Sequence, residues 1–200
     1  MALTTYAELQ ASIADWLVRN DLTAVISDFI TLAESRFNRE LRVREMIATD
    51  TGTIADTIAL PDDFIQVDVF RLDTSPIRVL QPISAAEGHR SYGTVGGDSR
   101  HFAIEGANLV PFPPQTGTVD YILSYFATLP ALSTSNTSNW LLAKAPDLYL
   151  FGSLVEAAPY LDEDARLQLW EGKYQAAKSS LHAADRRAKF HQGPLAARVA

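Results

Sequence analysis

Between Asn139 and Arg166 the chain reads NWLLAKAPDLYLFGSLVEAAPYLDEDAR, a stretch whose apolar residues leave little polar face. Leu141, Leu142, Leu148, Tyr149, Leu150, Phe151, Leu154, Val155 and Ala158 go most of the way round a helix. Pro146 falls in its first turn, where a missing N–H costs nothing, and Pro159 should end or kink it near Ala158. A helix apolar on most sides is covered on most sides. In 200 residues few central positions exist, so either this helix is the hub of the fold or a partner chain covers it. Periodicity leaves both answers open.

Helical patterns stand at both ends of the chain. Thr5 and Glu8 have capping-box spacing, and Tyr6, Leu9, Ile13, Trp16 and Leu17 then share one face. A second helix starts between Thr23 and Ser27 and turns Ile26, Phe29, Ile30, Ala33, Phe37 and Leu41 inward. Its other side carries Glu34, Arg36, Arg39, Glu40, Arg42, Arg44 and Glu45, which reads as a solvated face with an Arg36–Glu40 pair. Asp162 caps a final long helix with Leu167, Trp170, Tyr174, Ala177, Leu181, Ala184 and Ala188 on one face, broken at Gly193-Pro194.

From Met46 to Tyr125 the period changes to two. Strands are expected at Phe64–Leu72, Ile77–Leu80, Phe102–Glu105, Asn108–Pro111 and Thr118–Phe126, with a hairpin at Gly106-Ala107 and one or two helical turns between Ser84 and Tyr92. Leu129 to Ser138 is a polar connector. The fold class that follows is α+β: a helical bundle formed by the N- and C-terminal helices, with a central β-rich insertion and a C-terminal tail. Its domains are 1–46 with 139–190 for the bundle, 47–138 for the β-rich insertion and connector, and 191–200 for the tail.

The net charge of −7 is unevenly spread. Asp50 to Glu87 holds seven acidic residues against two arginines. From Lys173 onward the balance reverses, with Lys173, Lys178, Arg186, Arg187, Lys189 and Arg198 against Asp185 alone. Such a tail either seeks an acidic surface or complements a helix dipole. An acidic body repels phosphate, which argues against sequence-specific DNA binding. No cysteine is present, so disulfides, thiolate metal sites and cysteine nucleophiles are excluded. No apolar run approaches the roughly 20 residues that span a bilayer, and MALTTYAELQ does not have the form of a signal peptide. A soluble protein made in the cytoplasm and lacking membrane contact is expected.

Catalytic patterns are missing. His89, His101, His182 and His191 are scattered, and GxSxG, Walker and GxGxxG motifs do not occur. Asp98, Ser99 and His101 lie together in a glycine-rich loop, but sequence neighbours rarely make a triad. Asp162, Glu163 and Asp164 suit a helix cap better than a cation. Glu8, Asp15 and Glu34 could supply a carboxylate pair, although nothing says which would converge. No catalytic, cofactor or metal residue is assigned, and the features are those of an interaction part.

Two blocks resemble the head-to-tail adaptor (connector) proteins of tailed bacteriophages. The first is Thr4 to Met46, through Trp16-Leu17, Asp28-Phe29-Ile30 and an arginine-rich helix end. The second is Tyr125 to Gln175, through Asn139-Trp140-Leu141-Leu142, Pro146-Asp147-Leu148-Tyr149 and Glu156-Ala157-Ala158-Pro159. Ser27 stands where such proteins often carry proline. The resemblance implies a structural virion protein of the neck: a homo-oligomeric, dodecameric ring beneath the portal. Such a ring extends the DNA channel without sequence-specific binding and receives a downstream tail or nozzle protein. It further implies a portal-binding tail, here Arg186, Arg187, Lys189, Phe190, Leu195, Arg198 and Val199. Subunit-interface residues are expected at Tyr149, Phe151, Leu154 and Trp170. The alternative is a virion-associated enzyme, such as a cell-wall hydrolase, whose two acidic side chains converge in a cleft.

Overall fold

The computed structural model describes residues 3–19, 21–54, 56–161 and 166–190, the side chain of Phe190 excepted. Asp162, Glu163, Asp164, Leu195, Arg198 and Val199 therefore lie outside the described residues. The chain is α+β, and it divides into two compact units, Met1–Glu45 with Leu129–Ala200, and Met46–Thr128. The connector after Thr128 thus belongs with the helices rather than with the strands.

In the helical unit, α1 (Tyr6–Leu17) carries the capping box expected of it. Thr5 Oγ1 accepts from the Glu8 N–H at 3.3 Å, and Glu8 Oε2 accepts from the Thr5 N–H at 3.0 Å. The helix ends on Val18 in the left-handed region, φ 56°, an unusual conformation for a β-branched side chain. Helix α2 (Ile26–Glu40) starts without a side-chain cap, so neither Thr23 nor Ser27 plays that part. Its inner face, Ile26, Phe29, Ile30, Ala33 and Phe37, is buried as its spacing predicts.

The apolar stretch is two helices rather than one. Asn139 caps a short helix, which we designate α4 (Trp140–Lys144), by accepting from the Leu142 N–H at 2.9 Å. Ala145 then leaves the helical region, φ −140° and ψ 65°, because the ring of Pro146 disfavours helical backbone in the residue before it. Helix α5 (Pro146–Ala157) follows and passes into a 3-10 turn over Ala158–Leu161. Leu148, Tyr149, Ser153 and Leu154 are completely buried. Helix α5 packs on α1, α2, α4 and α6 (Leu167–Phe190). The approach of α5 to α2 is close enough that a Cβ on Gly152 would sit 2.8 Å from Phe37 Cζ. Coverage of this helix is supplied by its own chain.

The β unit contains two four-stranded sheets. One has the order β1 (Ile47–Ile54), β8 (Val119–Ala127), β3 (Phe64–Leu72), β4 (Arg78–Val79), all antiparallel. The other runs β2 (Ile58–Ala59), β7 (Asn108–Phe112), β6 (His101–Glu105), β5 (Gln81–Pro82), with β5 parallel to β6. Their facing side chains, among them Ile54, Phe70, Leu72, Leu123 and Tyr121 from the first and Ile58, Phe102 and Leu109 from the second, form one core. Gly106, φ 61°, makes the β6–β7 hairpin turn. Helix α3 (Ala85–Tyr92), capped by Ser84, lies over β6 and β7, with Gly88 pressed onto Phe112.

Candidate functional site

Part of the polar face of α2, which its sequence presents as solvated, is instead a bonded seam built on Arg36 and Glu40, while Arg39 stays exposed. Arg36 donates from Nε to Glu40 at 2.9 Å and from both terminal nitrogens to Glu171 at 2.8 and 3.2 Å. Its guanidinium lies 4.2 Å from the centre of the Tyr174 ring, and Glu156 approaches to 3.7 Å. Burial opposes the Arg36 charge, but Glu171 and Glu40 outweigh it, so its pKa is raised. Glu40 also accepts from Tyr174 Oη at 2.7 Å and Lys178 Nζ at 2.8 Å. Burial would push its carboxyl up, yet Lys178, Tyr174 and Arg36 together bring it down to about 2. Residues from α2, α5 and α6 are thereby tied at one point.

A second knot is buried more deeply. Glu34 Oε1 accepts from Tyr149 Oη at 2.9 Å and from the Leu132 N–H at 2.8 Å. The Asn139 amide donates to Tyr149 Oη at 2.6 Å and to the Pro130 carbonyl at 2.8 Å. Burial pushes the Glu34 carboxyl and the Tyr149 phenol up. Glu34 of α2 and Asn139, the cap of α4, thus anchor the serine-rich connector, and Tyr149 of α5 links the two anchors. A buried polar group without such partners would cost several kcal/mol, on the order of 2–7.

None of the carboxylates considered for acid–base work is poised for it. Glu8 is held by the cap, Glu34 by the knot, and Asp15 is exposed. Glu40, Glu156 and Glu171 converge, but on the Arg36 guanidinium. The glycine-rich loop makes no triad either. Asp98 pairs with Arg78, Ser99 Oγ donates to the Pro113 carbonyl at 2.8 Å, and His101 Nδ1 meets Tyr92 Oη. Among the described residues no group of three or more His, Cys, Asp or Glu side chains could hold a metal ion. No helix among them is long and apolar enough to cross a membrane.

Of the residues expected at a subunit interface, Tyr149, Leu154 and Trp170 are buried inside the helical unit of a single chain. Phe151 is half-buried and meets the edge of Trp16, ring centres 5.6 Å apart. The exposed apolar side chains of this unit lie elsewhere. Trp16, Val18, Leu167, Leu169 and Tyr160 are 40–81% exposed. Arg166 Nη1 donates to the Trp16 carbonyl at 2.9 Å, which joins the end of α1 to the start of α6. Of the expected tail residues, Arg186 and Arg187 are exposed, and Lys189 pairs with buried Asp185 at 3.1 Å. Asp185 also accepts the Arg44 N–H at 3.1 Å, beside a cavity of about 390 Å³ in which Lys144 pairs with Glu45 and Asp147 accepts the Leu148 N–H at 3.0 Å.

The family model described as SU10 adaptor protein matches residues 4–198, nearly the whole chain. The chain belongs to the SU10 adaptor protein family. The match takes in both helical ends and the strand-rich middle, the part in which the resemblance read from residues is least specific. No curated protein matches the chain. Family membership suggests a phage structural adaptor rather than an enzyme, and a virion component. The organisation of the helical unit, in which Glu34, Arg36 and Glu40 bond inward, suits a part that holds a shape.

Proposed function

We propose that this SU10 adaptor family member is a structural subunit of the virion neck. It acts as one copy of a dodecameric ring that joins the portal to the tail or nozzle protein and extends the DNA channel. The observation that carries this reading is the family match from residue 4 to residue 198. Neighbouring copies meet through apolar side chains left at the surface, Trp16, Val18, Tyr160, Leu167 and Leu169 foremost, with half-buried Phe151 beside Trp16, while Tyr149, Leu154 and Trp170 hold the wall behind them. The basic end of α6, with Arg186, Arg187 and Lys189, leads the segment Phe190, Leu195, Arg198 and Val199 onto the portal. The acidic β unit repels duplex phosphate, so DNA slides without being held.

Mass measurement of the purified chain with and without portal tests the proposal. A ring-sized complex with portal is expected, and a chain that stays monomeric in its presence sinks the reading. Deleting Gly193–Ala200 is expected to weaken portal binding with helix content unchanged. Unaltered binding would refute the clasp.

A further inference from the structure

In the β unit the two sheets are joined at one corner by a short segment and part beyond it. Strand β4 pairs only with Arg71 and Leu72 of β3, and the Leu80 N–H closes the junction on the Phe70 carbonyl at 2.9 Å. Strand β5 pairs only with His101 and Phe102 of β6, and Ile83 N–H follows on the Phe102 carbonyl. Past these points Val67, Asp68 and Val69 of β3, and Ala103, Ile104 and Glu105 of β6, have no strand on their facing sides among the described residues. The space between is a cavity of about 310 Å³ lined by Val67, Val69, Val79, Pro82, Phe102 and Ile104. Val69, Val79 and Ile104 are 41%, 52% and 44% exposed, so three apolar side chains ring its mouth.

We propose that this slot is a docking site for a short extended segment of a partner protein, apolar on its inner face and basic on its outer one. Two open strand edges flanking an apolar floor suit an added strand, whose backbone bonds supply affinity and whose alternate side chains fill the floor. Charge selects the rest of its chemistry. Met46–Thr128 holds ten acidic residues against four arginines and not one lysine, and Asp68 is the charged residue in the slot's lining, while Glu105 turns to the α3 side and pairs with His89 at 2.8 Å. The guards that usually blunt a sheet edge are unevenly placed. Pro82 and two-residue length protect β5, and two-residue length protects β4, but the open run of β3 has neither lysine nor proline. Strand β3 has register shifts between Phe64 and Gln66 and between Val67 and Val69. Such bulges spoil the long edge-to-edge pairing that a second folded sheet would need, which favours a short segment.

Amide hydrogen exchange of the full chain, with and without a synthetic peptide of alternating lysine and valine, tests the proposal. Protection at Val67, Asp68 and Ile104 is expected to rise about tenfold or more, the scale of a strand edge newly bonded. A glutamate–valine peptide should leave it unchanged. Val69→Arg and Ile104→Arg, on opposite walls and each partly exposed, should abolish the effect, whereas Thr49→Arg on the outer strand β1 should not. Equal protection by both peptides, protection confined to β1, or none would overturn the proposal. Protection that appears in the chain alone and grows with its concentration would also overturn it, in favour of a second copy.

Discussion

The two units are held together by different kinds of residue. The β unit has an apolar core between two sheets, with its tyrosine hydroxyls at the margins, Tyr121 on Asp50 at 2.8 Å and Tyr125 on Asp63 at 2.9 Å. The helical unit places charge inside, with Glu34 knotted to Tyr149 and Arg36 clamped among three carboxylates. Apolar packing accepts many substitutions of similar volume. An ion cluster demands particular partners at particular distances, and removing one strands the others. The helical unit is therefore the region in which few residues fix one arrangement of helices.

Unequal sensitivity to truncation is the largest effect that would break this comparison. Phe70→Ala in the β core is expected to cost about 4 kcal/mol. Arg36→Ala is expected to cost about 3 kcal/mol, the lower end for a buried pair because its carboxylates are partly exposed. Urea unfolding by tryptophan fluorescence separates the two, since all three tryptophans, Trp16, Trp140 and Trp170, lie in the helical unit. A fluorescence midpoint moved by Phe70→Ala as much as by Arg36→Ala would dissolve the distinction.

Gly152→Ala is expected to come next, at about 1–3 kcal/mol, because the new Cβ meets the Phe37 ring. Restored stability in Gly152→Ala with Phe37→Leu would locate the strain at that contact. Acid sharpens the comparison further. Glu40 and Glu171 have folded pKa values below their unfolded ones, so their contribution is complete above about pH 4.5. It is lost as pH falls toward the Glu40 value of about 2, and the tryptophan-reported midpoint should fall over that window. Glu34 runs oppositely: its pKa is raised, so its charge costs stability at neutral pH. Glu34→Gln keeps the acceptor for Tyr149 and Leu132 and is expected to match or exceed the parent at pH 7. Glu34→Ala should fall below both. Thermal melts of the three proteins decide it.

The smallest effect is at Val18. Replacing it by glycine relieves a left-handed β-branched residue and is expected to gain about 1 kcal/mol. Because Val18 is 81% exposed, the same change should weaken self-association if it forms a ring contact. Melting temperature and sedimentation moving in opposite directions would separate its two roles.

Local chemistry was legible where one or two neighbouring residues decide it. Thr5 with Glu8, Ser84 before α3 and Gly106 in its hairpin each act over a few positions. Strand β1 was missed because Ile47–Ile54 alternates threonine with small and acidic residues rather than with bulky apolar ones. The break at Ala145 was missed although Pro146 signals it: counted from the Asn139 cap this proline stands in the second turn, where it breaks a helix, and it is a first-turn residue only of the new helix it opens. The Arg36 seam lay beyond reach for another reason. Glu171, Tyr174 and Lys178 are more than a hundred positions from α2, and a charged helix face looks the same whether water or another helix answers it. Tyr149, Leu154 and Trp170 point the same way, because apolar periodicity reports that a side chain is covered without reporting by whom.

The ladder between β1 and β8 has a consequence for how the molecule comes into being. Ile47 and Phe126 face each other in it, so the strand that opens the β unit and the strand that closes it end side by side. An unstructured insertion of that length would make the meeting of α2 with α5 a slow, long-range event. Once β1 and β8 have zipped, the excursion collapses to a few ångströms of chain, and the helices find each other as if nearly consecutive. The pair predicts an order of assembly, strands before helical closure, in which the slow long-range step is the meeting of β1 with β8 itself. Splicing a short glycine–serine link across Ile47 and Phe126 should speed helical closure rather than prevent it.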